Sequence, residues 1–397
     1  MALIRPFRAL RPTPEVAADV ASVPYDVISV PEARTLAAGN PLSFLHVIRP
    51  EIDLPEGTDE HDESVYAKGA ENLYRYVEGP RSIRESAPAF YIYRLLMGNR
   101  EQTGLYGLVS VKEYNRGAIL KHENTRPPKV QDRTRHIIMQ RAHAEPVSLI
   151  FREHGTVTDI MDEATFQAPI YDFTAEDGVR HTFWRAPNAS MLSQAFSKVD
   201  ALYVADGHHR CQAASQAWLD TRWPASAFFP AVCFPVSAVN IMPYNRIALV
   251  PEGLDLLGQV QARCTLRRAS GQAQPEQRGD VCMYTDGVWH TVTLPESCRP
   301  TVADTLDVAR LSEFILEPVL GIMDQRTDPN IEFVGGIRGT NELMRRAREA
   351  GSSVAFSMYA TTVTELLNVS DAGLLMPPKS TWFEPKLRSG LLVHLID

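Results

Sequence analysis

The segment Asp206-Gly207-His208-His209-Arg210 constrains this chain most. It follows an apolar run, Ala201 to Ala205, that reads as a buried strand, and it precedes Cys211 to Trp218, which reads as a helix. A strand that turns at a glycine and enters a helix aims backbone N–H groups, and the positive end of the helix dipole, at one point. An acid, two imidazoles and a guanidinium packed into that turn serve no core purpose, so the segment reads as an anion site. Arg210 can hold a phosphate bidentately. His208 or His209 can act as a general base or stabilise a leaving oxygen. Asp206 can orient an imidazole or bind Mg²⁺.

Composition narrows the function classes. At 397 residues the chain is long enough for two or three domains. A net charge of -8 and a pI near 5.8 argue against a nucleic-acid partner for the whole protein. No apolar stretch reaches the roughly 18–20 residues that span a bilayer, and the N-terminus has no extended apolar region of a signal peptide. Five cysteines without CxxC spacing point away from a zinc ribbon or disulfide framework and toward a reducing cytoplasm. Cys211 stands apart, because the first turn of a helix can lower a thiol pKa.

Periodicity gives the coarse element plan. Helices are expected over 31–39, 63–79, 130–142, 189–198, 304–320, 340–350 and 362–368. Strands are expected over 89–96, 102–111, 147–151, 227–236, 331–334, 354–359 and 390–396, with hairpins at Met97-Gly98-Asn99-Arg100, at Asp177-Gly178 and at Asp286-Gly287. The pattern changes near 226, which suggests an N-terminal α+β domain over 1–225 carrying the turn and a C-terminal α/β portion over 226–397 whose tail returns to the site. The polar stretch 266–279 is the other candidate boundary.

Three further segments carry charge in suggestive places. Lys121 to His136 holds five basic residues, two acids and two histidines in sixteen positions. Pro127-Pro128 bars a helix through its middle, so its first half reads as an ordered loop. Arg126, Lys129 and Arg133 can line a polyphosphate pocket, with His122 beside them and Glu123 as catalytic base or metal ligand. In the tail, Lys379, Ser380, Thr381 and Lys386 can meet an anion, with Trp382 and Phe383 packed alongside. Gly335-Gly336 before Arg338 is a weaker phosphate-loop candidate, since the Walker Lys-Ser/Thr pair is missing. Pro243-Tyr244-Asn245-Arg246 reads as structural. No GxSxG, HExxH, GxGxxG after a strand or Walker A motif is present. A metal site from His122, Glu123, Asp206, His208 and His209 is compatible in ligand type.

These motifs, in order, resemble the bacterial and archaeal family known as domain of unknown function 1015. The resemblance runs over nearly the whole chain, from Arg5-Pro6-Phe7 and Pro24-Tyr25-Asp26-Val27-Ile28 through Phe44 to Pro50, His122-Glu123, Thr125-Arg126, Asp132 to His136 and Asp206 to Arg210. It continues through Pro243 to Arg246, Phe333 to Gly336 and Met376 to Thr381. The strand, Asp-Gly-His-His-Arg and helix are also similar to the signature turn of the ParB/sulfiredoxin-like superfamily. That group includes nucleotide-binding partition proteins, sulfiredoxin and kinases of free serine. This second resemblance implies an α+β fold of mixed sheets around a strand–turn–helix core, with Gly207, His208, His209 and Arg210 on a nucleotide phosphate. It offers Glu123 as the base, by analogy with the glutamate of the serine kinases. Sulfiredoxin's cysteine precedes its His-Arg, whereas here Cys211 follows the Arg, so that chemistry does not carry over.

The combined expectation is a nucleotide-dependent phosphotransferase acting on a small hydroxylated metabolite, with free serine as the specific candidate. ATP, ADP or CTP would be the nucleotide, and Mg²⁺ would bridge phosphate to Asp206 or Glu123. Two alternatives stand beside it: a phosphatase or metal-assisted hydrolase of a phosphorylated metabolite, and a non-catalytic nucleotide-binding protein.

Overall fold

A computed structural model of the protein describes residues 3–269, 271 and 273–396. The chain divides into two compact units. The first comprises residues 1–121, 125–239 and 385–397, and the second comprises 122–124 and 240–384.

The first unit is built on a mixed sheet. Its strands run in the order Ile119–Leu120, Leu202–Asp206, Val147–Phe151, Phe228–Pro235, Arg100–Ser110, Tyr91–Met97, Arg180–Arg185 and Tyr171–Thr174, with Ile4–Arg5 added against Ser110's end of its strand. The Val147–Phe151 strand is buried at every position. It pairs parallel with Phe228–Pro235 and antiparallel with Leu202–Asp206. A strand covered on both faces needs a continuous apolar run, and Val147, Leu149, Ile150 and Phe151 supply it. The apolar run over 227–236 belongs to this sheet, which is why the division between units falls at 239/240. Phe90, Leu105, Tyr114, Phe151, Phe196, Val204 and Phe229 meet in one core.

The turn segment sits where this sheet ends. Tyr203 and Val204 pair with Ile150 and Leu149, and Asp206 pairs with Ser148, so the register slips at Ala205. Such a bulge bends the strand and re-aims the next side chain. The helix that follows runs His208–Thr221. A second helix, Pro127–Gln140, packs against it. The sequence reading placed a loop at Pro127-Pro128, and the structure corrects it. The prolines occupy the first helical turn, where a missing N–H loses no bond and a fixed φ favours the helix.

The second unit carries a six-stranded sheet, antiparallel at every pairing. Its order is Thr265–Arg268, Val288–Thr293, Asp280–Thr285, Ser353–Ser357, Tyr244–Leu249 and Ile331–Gly335. The polar stretch after 266 therefore begins inside an edge strand. Helix Gly339–Glu349 lays Leu343 and Ala347 on Ile247, Tyr284, Val334 and Ala355. The helix expected over 304–320 is shorter: one α turn, Asp307–Leu311, passes into a π turn at Ser312–Leu316. The tail strand expected over 390–396 reduces to His394–Leu395, paired with Ala142–His143 in the first unit.

Candidate functional site

Gly207 makes the turn possible. Its φ is +97°, a conformation that side chains disfavour, and a Cβ there would lie 3.1 Å from Val147 and 3.2 Å from Arg210 Nε. His208 and Arg210 are buried at the helix start. Arg210 donates through Nη1 to the carbonyl of Pro146 and faces Asp206 at 3.8 Å through Nη2, while its buried Nε has no hydrogen-bond partner. Burial alone would raise the Asp206 carboxyl, but Lys386 and Arg210 outweigh it and hold it well below the usual carboxylate range. Lys386 Nζ donates to Asp206 Oδ2 at 3.1 Å, and Gly207 N–H donates to Oδ1 at 2.9 Å. Both Asp206 oxygens are thus engaged within the protein, which leaves it badly placed as a Mg²⁺ ligand unless Lys386 withdraws. Asp206 instead locks the turn.

The two packed helices start beside each other. The backbone N–H of Arg126, the N-cap of Pro127–Gln140, donates to His209 Nε2 at 3.0 Å. A backbone N–H can only donate, so His209 Nε2 is unprotonated and a neutral ring carries its proton on Nδ1. The arrangement sets the positive ends of two helix dipoles side by side.

A cavity of about 360 Å³ opens at the second helix start. Arg126, Lys129 and Arg133 line it, together with Arg49, His61, Tyr25 and four acids, Asp26, Glu51, Glu60 and Asp132. Arg133 is buried and clamps Asp132 through Nε at 2.7 Å and Nη2 at 2.6 Å, with its guanidinium 4.0 Å over the Tyr25 ring. Tyr66 also donates to Asp132, at 3.0 Å. Burial would raise Asp132, yet Arg133 and its hydrogen bonds pull it below its ordinary value. Glu51 behaves oppositely: burial pushes its carboxyl up against the opposing pull of Arg49, whose Nε lies 2.8 Å away. Arg34 fixes the Glu51 backbone by donating to the carbonyls of Glu51 at 2.9 Å and Leu54 at 3.0 Å.

The second unit gathers other motifs. His122 Nε2 lies 3.2 Å from Thr381 Oγ1, and the His122 carbonyl accepts from Met376 N–H at 2.8 Å. Lys379 has a left-handed backbone (φ +57°), and its ammonium sits 5.2 Å from the Tyr244 ring centre. Ser380 Oγ donates to the Pro377 carbonyl at 2.6 Å. Beneath this loop lies Arg246, fully buried. It donates to Gln325 at 3.3 Å and to the carbonyls of Tyr244, Pro378 and Lys379, the last two at 3.3 and 3.2 Å. Burial lowers its pKa to about 10, so it stays charged near neutral pH. Gly335 and Gly336 lie against close neighbours here. A Cβ on Gly335 would lie 2.8 Å from Trp382, and one on Gly336 would lie 2.6 Å from the Pro243 carbonyl. Their lack of side chains serves close packing.

A family model described as a protein of unknown function (DUF1015) matches residues 4–309. The chain belongs to this family. No curated protein matches it significantly. Among solved structures, a free serine kinase mutant in complex with ADP is similar at 12% identity and a TM-score of 0.39, covering 74% of this chain and 94% of that one. SbnI with a C-terminal truncation, from Staphylococcus aureus, is similar at 14% identity and a TM-score of 0.41, over 73% and 87% of the two chains. A conserved hypothetical protein from Pyrococcus furiosus gives 14% identity and 0.38, over 73% and 95%.

In this DUF1015 protein the residues expected from sequence fall into two groups. Arg126, Lys129, Arg133 and Asp206 to Arg210 lie in the first unit, and His122, Glu123, Lys379, Ser380 and Thr381 lie in the second. Sequence reasoning missed Arg49, Glu51 and Glu145. The first two sit in the Phe44–Pro50 family motif and just after it, which was the available signal. Glu145 carried none. The first helical turn, which can lower a thiol pKa, does not do so at Cys211: its thiol is buried in the helix and pushed up to about 12 by that burial.

Proposed function

We propose that this DUF1015 protein is a nucleotide-dependent phosphotransferase acting on a small hydroxylated metabolite, with free serine as the leading acceptor. The observation that carries the reading is the Gly207 turn, where a buried guanidinium and two adjacent helix starts converge on one point. That arrangement supports phosphate binding. Phosphoryl transfer asks the protein chiefly for positioning and charge stabilisation. Arg210 and the 207–209 backbone would hold phosphate, and Arg126, Lys129 and Arg133 would offset further charge. Mg²⁺ would arrive with the nucleotide and neutralise the phosphates.

The neighbouring cavity favours the acceptor class. Besides Arg126, Lys129 and Arg133, its lining sets Arg49 beside the acids Asp26, Glu51, Glu60 and Asp132. Such a lining suits a small zwitterion, which has a carboxylate for the cations and an ammonium for the acids. In the transfer the acceptor hydroxyl gives its proton to a carboxylate base, its oxygen bonds to the terminal phosphorus, and the bond from that phosphorus to the nucleotide's bridging oxygen breaks. Glu123 is the candidate base, by analogy with the glutamate of the free-serine kinases.

The test is direct. Full-length protein with Mg²⁺, L-serine and ATP, ADP or CTP in turn is followed by phosphorus NMR for O-phosphoserine. Formation with one nucleotide, and a loss of about 100-fold or more in kcat for E123Q with binding retained, is expected. Absence of binding by all three nucleotides at millimolar concentration defeats the reading. Release of inorganic phosphate from phosphoserine without nucleotide replaces it with a phosphatase, and binding without turnover replaces it with a nucleotide-binding protein.

A further inference from the structure

The first unit contains a buried carboxylate that neither the turn nor the cavity accounts for. Glu145 lies between the short strand Ala142–His143 and the central strand Val147–Phe151, and its side chain is 7% exposed. It accepts from Tyr25 N–H and from Ser389 Oγ, each at 3.3 Å. Its Oε2 stands 4.0 Å from Arg133 Nη1. The carbonyl of the next residue, Pro146, accepts from Arg210. Burial raises the Glu145 carboxyl above its ordinary value, against the opposing pull of Arg210 and Arg133.

Glu145 therefore stands between the guanidinium of the turn and the guanidinium of the cavity wall. A separate small cavity of about 40 Å³ lies among Glu145, Arg133, Arg210, His136 and His143. That is room for a water. It is bordered by polar atoms that have no hydrogen-bond partner among the described residues: Arg210 Nε, both ring nitrogens of His136 and His143 Nε2. Burial, with Arg133 beside His136, holds both imidazoles neutral. Among the described residues bordering this small cavity Glu145 alone carries a negative charge; Asp132 beside Arg133, and Asp26 and Asp206 near Arg210, lie outside it. Two buried guanidinium groups with no anion between them would repel one another in a poorly screened interior.

We infer that Glu145 is a positioning residue: its charge holds Arg210 under the helix start and Arg133 on the cavity wall, fixing the spacing between the two. It touches no substrate in this scheme. The inference rests on the phosphotransferase reading for its consequence, though not for its physical content. Moving either guanidinium by about 1 Å lowers turnover by about 10- to 100-fold. Nucleotide affinity is expected to hold or tighten in the same variant, because a negative charge has been removed near a phosphate.

The experiment uses the full chain and the variants E145Q and S389A. The Gln amide oxygen can still accept from Tyr25 and Ser389, so E145Q deletes the charge and keeps the shape. S389A deletes one neutral hydrogen bond and keeps the charge. The first readout is the Nε–H NMR signals of arginines labelled with nitrogen-15. E145Q is expected to shift or broaden those of Arg133 and Arg210, and S389A to leave them in place. The second is kcat against the dissociation constant for ADP, with kcat falling in E145Q alone. Unmoved arginine signals in a folded E145Q protein overturn the inference whatever the activity. Equal losses in E145Q and S389A, tracking their melting temperatures, overturn it in favour of packing. Arginine signals that move as expected in a protein that phosphorylates nothing leave the positioning intact and defeat only the phosphotransferase reading.

Discussion

Replacing Gly207 by alanine tests the turn at its most constrained atom. The backbone there has φ +97°, and a residue with a Cβ held in a sparsely populated region loses about 1–3 kcal/mol. The new methyl would also stand 3.1 Å from Val147 Cγ1 and 3.3 Å from Arg210 Cζ. Val147 sits in the fully buried central strand and gives little, so the displacement falls on the Arg210 guanidinium. For a domain of 150–250 residues, roughly 2–4 °C is lost per kcal/mol, so a fall in melting temperature of about 2–12 °C is expected. Losing one charge-assisted contact from Arg210 to a phosphate removes about 1.5–3 kcal/mol of binding, or about 10- to 100-fold in affinity for ADP. Gly39→Ala is the control. It has φ +73° with open space where its Cβ would go, so it shares the backbone penalty and leaves the site alone. Calorimetric titration with ADP on both variants separates the two effects. A folded G207A protein that binds ADP within about twofold of wild type refutes the assignment of the turn to phosphate.

Three other outcomes follow from the same geometry. Asp206 is held below the ordinary carboxylate range, so its stabilisation is present above the unfolded pKa of about 3.9 and is lost as pH falls through the lower folded value. D206N is therefore expected to be less stable than wild type by about 1.5–3 kcal/mol at pH 7, with the gap closing in strong acid. Equal gaps at both ends of a denaturation series would show that the charge is not responsible. R246M strips the Tyr244, Pro378 and Lys379 carbonyls of a buried donor, at about 1–3 kcal/mol each where water cannot replace it. Hydrogen exchange should rise over 376–381, and unchanged protection there would remove Arg246 from its supporting role. Finally, four of the five cysteines are buried and Cys298 is exposed, so a thiol reagent should titrate one cysteine quickly in the native protein, and rapid labelling of Cys211 would contradict its burial.

What the sequence made legible was local. The strand, the glycine and the helix of the turn are adjacent in the chain, and their alternation of apolar run, φ-permissive residue and helical spacing is a short-range signal. The misreadings have local causes as well. Two prolines look alike as a helix stop and as a helix start, and only the following periodicity at Val130, Arg133 and Thr134, all buried on the helix, tells them apart. What stayed illegible depended on contacts distant in sequence. Arg49 and Glu51 join the cavity from a segment roughly eighty residues before Arg133, and Lys386 reaches Asp206 across an interval of 180 residues. A lone glutamate before a proline gives no periodic or compositional mark, yet Glu145 stands beside one arginine and one residue from the carbonyl that holds another.

Arg246 shows the same limit from the other side. Its motif reads as structural, and in the second unit it does pin a loop, but it does so as a fully buried cation bonded only to neutral acceptors. Burying a guanidinium without a carboxylate is expensive, and a core that needed only packing would hold a methionine or leucine there. The guanidinium instead donates to the carbonyls of Pro378 and Lys379, the latter in a left-handed backbone. Loop and buried cation are thus tied together by these bonds. Sequence shows the arginine and the proline pair as separate motifs more than a hundred and thirty residues apart, and only their contact gives either a physical reason.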